Sequence, residues 1–367
     1  MKGKKIILAV TNDLTYDRRM FRICSSLAAA GASVTLVGRK RRNTLPFNPA
    51  SFKSIRFRCW INKGPLFYAE YNLRLFFILL QQSFDIACAC DLDTASAVRL
   101  ASRYKSAKTV YDAHEYFSEV PELQHRPIVK AIWEWIARRT IPYFDAQYTV
   151  GEELARLMGS RYQVHFEVIR NIEPHNSDLT LPAVNRDRKK ILLYQGALNV
   201  GRGLEACIEA MTLMPDWEFW LAGEGDITKP LKELAAKSGV GERVRFLGWI
   251  EPSKLPAILQ QASLSINLRE AGSLNDYYSL PNKFFDAIHA GIPSIHIDYP
   301  EYKTIISQYP CAVLLDRVHA PLIAETIKDI DVHPEKWEQM VAACHEASKH
   351  FTWENEEIKL REIYERL

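Results

Sequence analysis

The segment 278–293 contains the residues best suited to chemistry in this sequence. Pro281 is typical of a helix start and Gly291 of a helix end, and an apolar run follows them. Lys283 therefore lies beside the free N–H groups of a helix N-terminus, where anions, and phosphate above all, bind. Asp286, one turn further on, is placed to accept hydrogen bonds from sugar hydroxyls. The segment predicts a site for a ligand that has both a phosphate and a sugar.

A glycine-rich loop predicts a second contact to phosphate. In 191–204 a strand pattern is followed by Gly196, Gly201 and Gly203, which let the backbone approach a ligand closely. Arg202, in the same loop, has a fixed and always charged fork that suits a diphosphate. The alternative interpretation of such a loop is a tight turn without a ligand.

The next two strand patterns end in a similar way. Gly223 and Gly225 flank Glu224 after the predicted strand 217–222, so the backbone turns sharply there. Glu224 is either a ligand contact or a surface carboxylate. The segment 246–250, at the end of the following strand, offers backbone groups that can read the edge of a nucleobase.

In the first half of the chain, His114 lies just after the predicted strand 109–112. A single histidine is usually structural, but this one is flanked by Asp112 and Glu115. It also follows a strand end, where open α/β sheets bind their ligands. We therefore interpret His114 as a functional residue.

The first predicted strand, 6–10, is followed by Asp17, Arg18 and Arg19 at the start of a helix. These residues either hold the phosphate of an acceptor or cap and solvate the helix. The loop lacks the Gly-x-Gly-x-x-Gly pattern, which argues against a nicotinamide or flavin dinucleotide site. The sequence also lacks a P-loop, zinc-ligand spacing and a Gly-x-Ser-x-Gly pattern. No cofactor and no metal are expected.

The composition excludes further classes of protein. A net charge of +3 is too close to neutral to indicate a nucleic-acid-binding protein. Seven scattered cysteines argue against a disulfide framework and favour a reducing compartment. Cys88 and Cys90 share one face of the predicted strand 85–90, which favours core packing over a metal site.

Several segments bear on location and on membranes. No signal-peptide pattern follows Met1, so we expect the chain in the cytoplasm. The segment 65–84 is rich in Leu and Phe, but Glu70 and Arg74 interrupt it, which predicts a buried or interfacial helix rather than a membrane span. The basic run 39–42 is either a solvated loop or a contact with an anionic membrane.

Strand and helix patterns alternate along the whole chain, which predicts parallel, doubly wound sheets. Because two sets of about six strands exceed one sheet, we predict an α/β protein with two Rossmann-like domains facing a cleft. The domains are 1–171 and 191–350, joined by a linker at 172–190, and a last helix at 351–367 packs outside or returns to the first domain. The predicted strands are 6–10, 33–38, 55–60, 85–90, 109–112, 146–150, 166–170, 191–195, 217–222, 244–247, 264–268, 292–297 and 312–315.

These segments, in this order, resemble glycosyltransferase family 4, a family of retaining enzymes with the two-domain B fold. The resemblance covers nearly the whole chain and is strongest from Ile191 to Asp298. The matching segments are the diphosphate loop at 194–203, the second glycine turn at 221–226, the base-contacting strand end at 246–250, the donor helix at 279–293, and the opening 16–19 with 27–34.

The resemblance implies a role for individual residues. Arg202 and Lys283 would hold the diphosphate, Asp286 would bind the ribose, and His114 would lie against the donor sugar. The catalytic candidates are therefore His114, Arg202 and Lys283. The donor-binding candidates are Gly196, Asn199, Gly201, Gly223, Glu224, Gly248, Ile250, Tyr278, Ser279, Leu280, Asn282 and Asp286, and the acceptor-binding candidates are Tyr16, Asp17, Arg18 and Arg19.

Two positions depart from the family pattern. The family has two glutamates eight positions apart, and this chain has Tyr278 and Asp286 there instead. Ala197 stands where the family has an arginine after the loop glycine. Glu270 and Asp276, upstream on the same loop, are candidates to replace the missing glutamate.

The resemblance implies transfer of a sugar, with retention, from a nucleotide diphosphate sugar to a glycan or lipid-linked acceptor in surface polysaccharide or glycoconjugate synthesis. A UDP-sugar is the expected donor. Trp133 and Trp135, on the predicted helix 128–139, belong either to the core or to a membrane-surface patch for a lipid-linked acceptor. Two alternatives stay open: a nucleotide-sugar epimerase, and a catalytically silent protein that binds a sugar nucleotide.

Overall fold

The computed structural model describes residues 1–42, 44–174, 189–251 and 253–367. The chain divides into two α/β units. The first consists of residues 1–171 and 355–367, and the second of residues 172–354. Of the predicted linker, residues 175–188 lie outside the described residues.

The first unit is built on a sheet of seven strands, all of which pair in parallel. They are β1 (Lys5–Asp13), β2 (Ser33–Arg39), β3 (Lys53–Phe57), β4 (Ile86–Cys90), β5 (Lys108–Ala113), β6 (Ala146–Thr149) and β7 (Glu167–Val168). Their order is β3-β2-β1-β4-β5-β6-β7, so the winding direction reverses between β1 and β4. The loops that follow these two strands diverge, which opens a crevice at the carboxyl end of the sheet.

Helices lie between most consecutive strands, as is usual for the crossover connections of a parallel sheet. They are α1 (Arg18–Ala29), α2 (Pro65–Gln81), α3 (Leu92–Lys105), α4 (Pro127–Thr140) and α5 (Glu152–Tyr162). The central strand β4 reads Ile-Ala-Cys-Ala-Cys, and all five residues are buried, as in a strand that is covered by helices on both faces. Cys88 and Cys90 are therefore free thiols in the core.

The second unit repeats this architecture with six parallel strands. They are β8 (Ile191–Gln195), β9 (Glu218–Ala222), β10 (Val244–Gly248), β11 (Leu264–Asn267), β12 (Ser294–Ile297) and β13 (Ala312–Leu315), in the order β10-β9-β8-β11-β12-β13. The winding reverses between β8 and β11. The helices are α6 (Leu204–Ala210), α7 (Thr228–Lys237), α8 (Leu255–Leu259), α9 (Leu274–Tyr277), α10 (Asn282–His289), α11 (Pro300–Ile306), α12 (Ala320–Val332) and α13 (Pro334–His350).

The last helix, α14 (Trp353–Glu365), belongs to the first unit from Asn355 onward. The carboxylate of Glu356 accepts a hydrogen bond from the backbone N–H of Arg170 at 2.8 Å. Three apolar residues of α14 are fully buried, namely Leu360, Ile363 and Tyr364. The chain end is thus part of the core of the first unit.

The prediction of two parallel, Rossmann-like α/β folds is confirmed, with differences at strand ends. The strand predicted at 55–60 ends at Phe57, because the N–H groups of Trp60 and Ile61 bind the Glu70 carboxylate instead of a neighbouring strand. The strand predicted from Ile292 begins at Ser294, after Pro293, which has no N–H to give to the sheet.

Candidate active site

The carboxyl ends of β8 and β9 pack backbone against backbone. Gly196 has φ +125° and donates its N–H to the carbonyl of Ala222 at 2.8 Å. A Cβ on Gly223 would overlap the carbonyl oxygen of Gly196, and Gly223 also bridges to Gly248 of β10. Glycine is required here because the strand ends approach too closely for a side chain.

The loop that follows Gly196 is held on both sides. Its Asn199 accepts a hydrogen bond from the N–H of Asp226 at 3.3 Å, and the carbonyl of Glu224 accepts one from Leu198 at 3.1 Å. The carbonyl of Gly201 accepts one from the N–H of Glu270 at 3.0 Å. The structure therefore brings the loops after β8, β9 and β11 together, and the predicted donor residues of this loop lie in a fixed backbone.

Lys283, on the first turn of α10, reaches across this loop. Its Nζ lies 3.4 Å from the hydroxyl of Tyr194 and 4.8 Å from the centre of that ring. A Cβ on Gly196 would overlap the same Nζ. The ammonium group thus sits directly over the glycine, beside the N-terminus of the helix.

The positive charges of Lys283, Arg202 and Arg269 act on one another beside this loop, and they repel. Burial, followed by the charges of Arg202 and Arg269, lowers the pKa of Lys283 to about 7, and Asp286 opposes the shift only in part. Arg269 was not predicted; it is held by an ion pair with buried Asp276. All three cations are half-buried, and a bound anion would relieve their mutual repulsion, so the cluster fits a diphosphate.

Asp286 lies at the edge of the cluster. Its carboxylate accepts a hydrogen bond of 2.6 Å from the side chain of Gln195, at the end of β8. The other polar atom of that amide, Oε1, is buried and has no partner among the described residues. Together the two side chains offer oxygens that can accept hydrogen bonds from hydroxyl groups.

The segment before α10 is ordered by its own hydrogen bonds. Tyr278 follows α9, and the hydroxyl of Ser279 donates to the carbonyl of Asp276 at 2.8 Å. Asp276 is engaged with Arg269, whereas Glu270 is exposed. Asp276 thus forms an ion pair with Arg269. Because its carboxylate is engaged there, Asp276 is poorly placed to replace the missing glutamate.

The remaining predicted donor residues differ in exposure. Leu280 is buried in the core, while Asn282, the first residue of α10, is half-buried. Gly248 has φ +69°, and Ile250 is half-buried just beyond β10. Their roles stay predictions.

In the first unit, His114 is enclosed by two carboxylates. Its N–H donates to Asp91 at 2.8 Å, and its ring atoms Nε2 and Nδ1 lie 3.1 Å from Asp112 and 3.4 Å from Asp91. Burial disfavours the imidazolium, but Asp112 and Asp91 outweigh it and raise the pKa of His114 to about 9. Burial raises the pKa of Asp91 to about 7, so Asp112 is the firmer anionic partner of His114. In its charged form His114 donates from both ring nitrogens.

Arg19 completes this network. It is buried, lies 2.9 Å from Asp112 and donates to the carbonyl of Ile169 at 3.2 Å. Burial alone disfavours the carboxylate, but Arg19 and then His114 lower the pKa of Asp112 to about 2. The structure thus places Arg19 in support of His114.

The other predicted acceptor residues lie at the start of α1. Asp17 caps the helix by accepting a hydrogen bond from the N–H of Met20 at 3.1 Å, and Arg18 is exposed. Tyr16 ends the 3₁₀ turn Leu14–Tyr16, and its side chain lies outside the described part. Within that part, no cluster of three or more His, Cys, Asp or Glu residues is arranged to hold a metal ion.

Two family models match the chain. The model described as Glycosyltransferase Family 4 matches residues 17–173, and the model described as Glycosyl transferases group 1 matches residues 181–346. The chain belongs to glycosyltransferase family 4.

Solved structures share the fold of this family 4 chain. Sucrose-phosphate synthase from Thermosynechococcus elongatus is 16% identical, with a TM-score of 0.79 over 99% of this chain and 98% of that chain. Anabaena HepE in complex with UDP is 14% identical, with a TM-score of 0.76 over 99% of this chain and 100% of that chain. EpsD of Bacillus subtilis (strain 168) is 24% identical over 65% of this chain and 64% of EpsD, so the chain spans less than two thirds of that relative.

Proposed function

We propose that the protein is a retaining glycosyltransferase that moves a sugar from a UDP-sugar to a hydroxyl group of a glycan or lipid-linked acceptor in surface polysaccharide or glycoconjugate synthesis. The observation that carries this proposal is the cluster of Lys283, Arg202 and Arg269 beside the glycine loop after β8. HepE, of the same fold, was crystallised with UDP, which supports uridine as the base.

In the proposed reaction the bond between the sugar and the diphosphate breaks, and negative charge develops on the leaving phosphate. Lys283 and Arg202 stabilise that charge, each by about 3 kcal/mol if they act like other preorganised donors. The acceptor oxygen bonds to the sugar on the face that the diphosphate leaves, and its proton passes to the departing phosphate oxygen. The role of His114 toward the donor sugar stays a prediction.

The donor class is tested by thermal stabilisation with UDP, GDP and ADP in EDTA. We expect UDP to raise the unfolding temperature of the wild type by several degrees, and Lys283→Ala to abolish this shift. Lys303→Ala is the matched control, because Lys303 is exposed and pairs with Asp298 on the surface of the same unit. An absence of any shift with all three nucleotides would contradict the proposal.

Turnover separates the transferase from its alternatives. The release of UDP from UDP-glucose, UDP-galactose and UDP-N-acetylglucosamine is measured with and without an extract of bacterial glycolipids and glycans. A transferase depends on the extract, whereas an epimerase converts the UDP-sugar alone. A catalytically silent homologue binds UDP and turns over nothing. This alternative is tested because Tyr278 stands in place of a glutamate of the family pattern. Lys283→Ala should lower turnover by about 100- to 1,000-fold.

A lipid-linked acceptor is supported by exposed apolar residues of the first unit. α2 buries one face and exposes Leu66, Leu73 and Phe77, and α4 exposes Trp135. Trp133 is buried instead, with its ring 4.8 Å from that of Phe117, so it belongs to the core. In the described part of the chain, no helix is both long and apolar enough to span a bilayer. We propose that the exposed side chains of α2 and α4 make a peripheral contact with the membrane surface.

Co-sedimentation with vesicles that contain phosphatidylglycerol tests this contact. The double variant Phe77→Ser/Trp135→Ser should reduce the bound fraction several-fold, because both side chains would lie in the interface. Trp249→Ser is the control, since Trp249 is an exposed tryptophan of the second unit. Equal sedimentation of both variants with the wild type would refute the membrane contact.

A further inference from the structure

A cavity of about 610 Å³ lies within the first unit, at the carboxyl ends of β1, β2, β4 and β5. His114 contributes to its lining, but most of the lining side chains have no part in the network described above. On one side it carries Arg39, Arg41 and Lys63, and elsewhere Asp91 and Asp93. A polar cavity at the switch point of a doubly wound sheet is where such a fold binds a ligand.

Arg39, the last residue of β2, is the informative group. It is only 6% exposed, yet no carboxylate of the described residues pairs with it. Its guanidinium donates to the side-chain carbonyl of Asn62 and stacks 4.3 Å over the ring of Phe67. A buried cation that lacks an anionic partner is costly, so its presence in a cavity wall indicates that the partner is a ligand.

Two other cations of the cavity, Arg41 and Lys63, also indicate an anionic ligand. Arg41 and Lys63 are exposed at its rim, and neither forms an ion pair within the described part of the chain. Arg39 and these two side chains provide enough donors for the oxygens of a phosphate group.

Asp93, at the start of α3, supplies a different contact. It is also only 6% exposed; its Oδ2 accepts a hydrogen bond from the hydroxyl of Thr11, and its Oδ1 has no partner among the described residues. Asp91, by contrast, is engaged with His114. A buried carboxylate oxygen without a donor is suited to receive one from a ligand hydroxyl.

We propose that this cavity binds an acceptor that carries both a phosphate group and a sugar hydroxyl, with Arg39, Arg41 and Lys63 around the phosphate and Asp93 accepting a hydrogen bond from the hydroxyl. The inference rests on the transferase function proposed above and names the chemical class of its acceptor. It assigns the acceptor phosphate to the end of β2, whereas the sequence pointed to Arg18 and Arg19. The phosphate belongs either to a soluble sugar phosphate or to a lipid-linked sugar.

Calorimetric titration of inorganic pyrophosphate into Lys283→Ala tests the phosphate site, because that variant disables the donor site. We expect binding that Arg39→Met weakens by at least about tenfold, as the loss of a charge-assisted contact predicts. Lys63→Met, at an exposed position, should weaken it as well without risk to the fold. Arg58→Met is the control, since Arg58 is exposed in the same unit outside the cavity lining. Unchanged binding in Arg39→Met and Lys63→Met, or none in Lys283→Ala, would overturn the proposal.

Three further measurements complete the test. Glucose 6-phosphate and a farnesyl diphosphate-linked sugar are compared as competitors of pyrophosphate, and the stronger one identifies the source of the phosphate. Asp93→Asn should weaken the binding of glucose 6-phosphate but not that of pyrophosphate. Equal effects on both ligands would show that Asp93 is not part of the site.

UDP binding by Arg39→Met should match that of the wild type. If UDP fails to bind the wild type while pyrophosphate binds the cavity, the proposed function fails and the phosphate site stands.

Discussion

The six strands of the second unit follow the same order as the first six of the first unit, yet the two units surround their buried or half-buried cations differently. In the first unit, His114 lies between Asp91 and Asp112, and its pKa is raised to about 9. In the second unit, Lys283 is half-buried near two arginines, and its pKa is lowered to about 7. Both groups follow the carboxyl end of a sheet, so the fold alone does not decide their charge.

In the first unit, the protein's own carboxylates compensate the positive charge of His114. In the second unit, the positive charge around Lys283 is only partly compensated, so an anionic ligand would stabilise it. The imidazolium of His114 is supplied with carboxylates, so it is stable without a ligand and fixed in orientation. The ammonium of Lys283 is unstable without a ligand and gains most from an anion. We expect substitutions in the first network to affect folding and substitutions in the second cluster to affect binding.

Among the changes that test this comparison, Asp112→Asn is expected to have the largest effect. The change leaves buried Arg19 and half-buried His114 without their shared carboxylate, and breaking such a network costs about 3 to 5 kcal/mol of the free energy of unfolding. Urea unfolding, followed by circular dichroism, measures the loss. Asp316→Asn is the control, because Asp316 pairs with Arg317 on the exposed surface. A loss below 1 kcal/mol would show that the network does not hold the first unit together.

His114→Gln sharpens the comparison through its pH dependence. Because the folded pKa of His114 is raised from 6.5 to about 9, its stabilisation is complete below pH 6.5 and is lost as the pH rises through 9. The variant should therefore be less stable than the wild type by roughly 2 to 3 kcal/mol at pH 6 and nearly equal to it at pH 10. His333→Gln is the control, because His333 lies at an exposed site. A constant difference across the pH range would contradict the raised pKa.

Gly196→Ala is a smaller change on the binding side. A methyl group there would displace the Nζ of Lys283 and strain a backbone at φ +125°. We expect UDP affinity to fall by about tenfold, which corresponds to about 1.4 kcal/mol. Gly239→Ala is matched, since φ is +71° and the added Cβ meets no atom within 4 Å. If both variants bind UDP equally well, the close approach of Lys283 to the loop is not needed for binding.

Much of this arrangement could be predicted from the sequence, because strand and turn patterns are local. The glycines after β8 and β9, the start of α10 and the position of His114 after β5 all followed from residue types and spacing. Strand–helix alternation was sufficient for the two parallel sheets.

The partners of these residues could not be predicted, because they depend on packing between distant segments. Arg19 lies 93 positions from Asp112, and only the sheet order brings the two together. Arg269 and Asp93 follow strand ends, which was a usable signal, but nothing in the sequence marks Arg39 as buried without a carboxylate. The sequence therefore indicates which charged side chains follow strand ends, and the structure shows which of them are paired with other side chains.

The most direct test of the central claim is calorimetry of UDP binding in EDTA at pH 8, in two buffers that differ in ionisation enthalpy. If the diphosphate binds beside Lys283, it raises the lowered pKa of that lysine, and the wild type takes up about one proton per UDP. Lys283→Met should bind UDP about 100-fold more weakly and take up no proton. Equal affinity in both proteins, with no proton uptake by the wild type, would show that the cation cluster is not the diphosphate site.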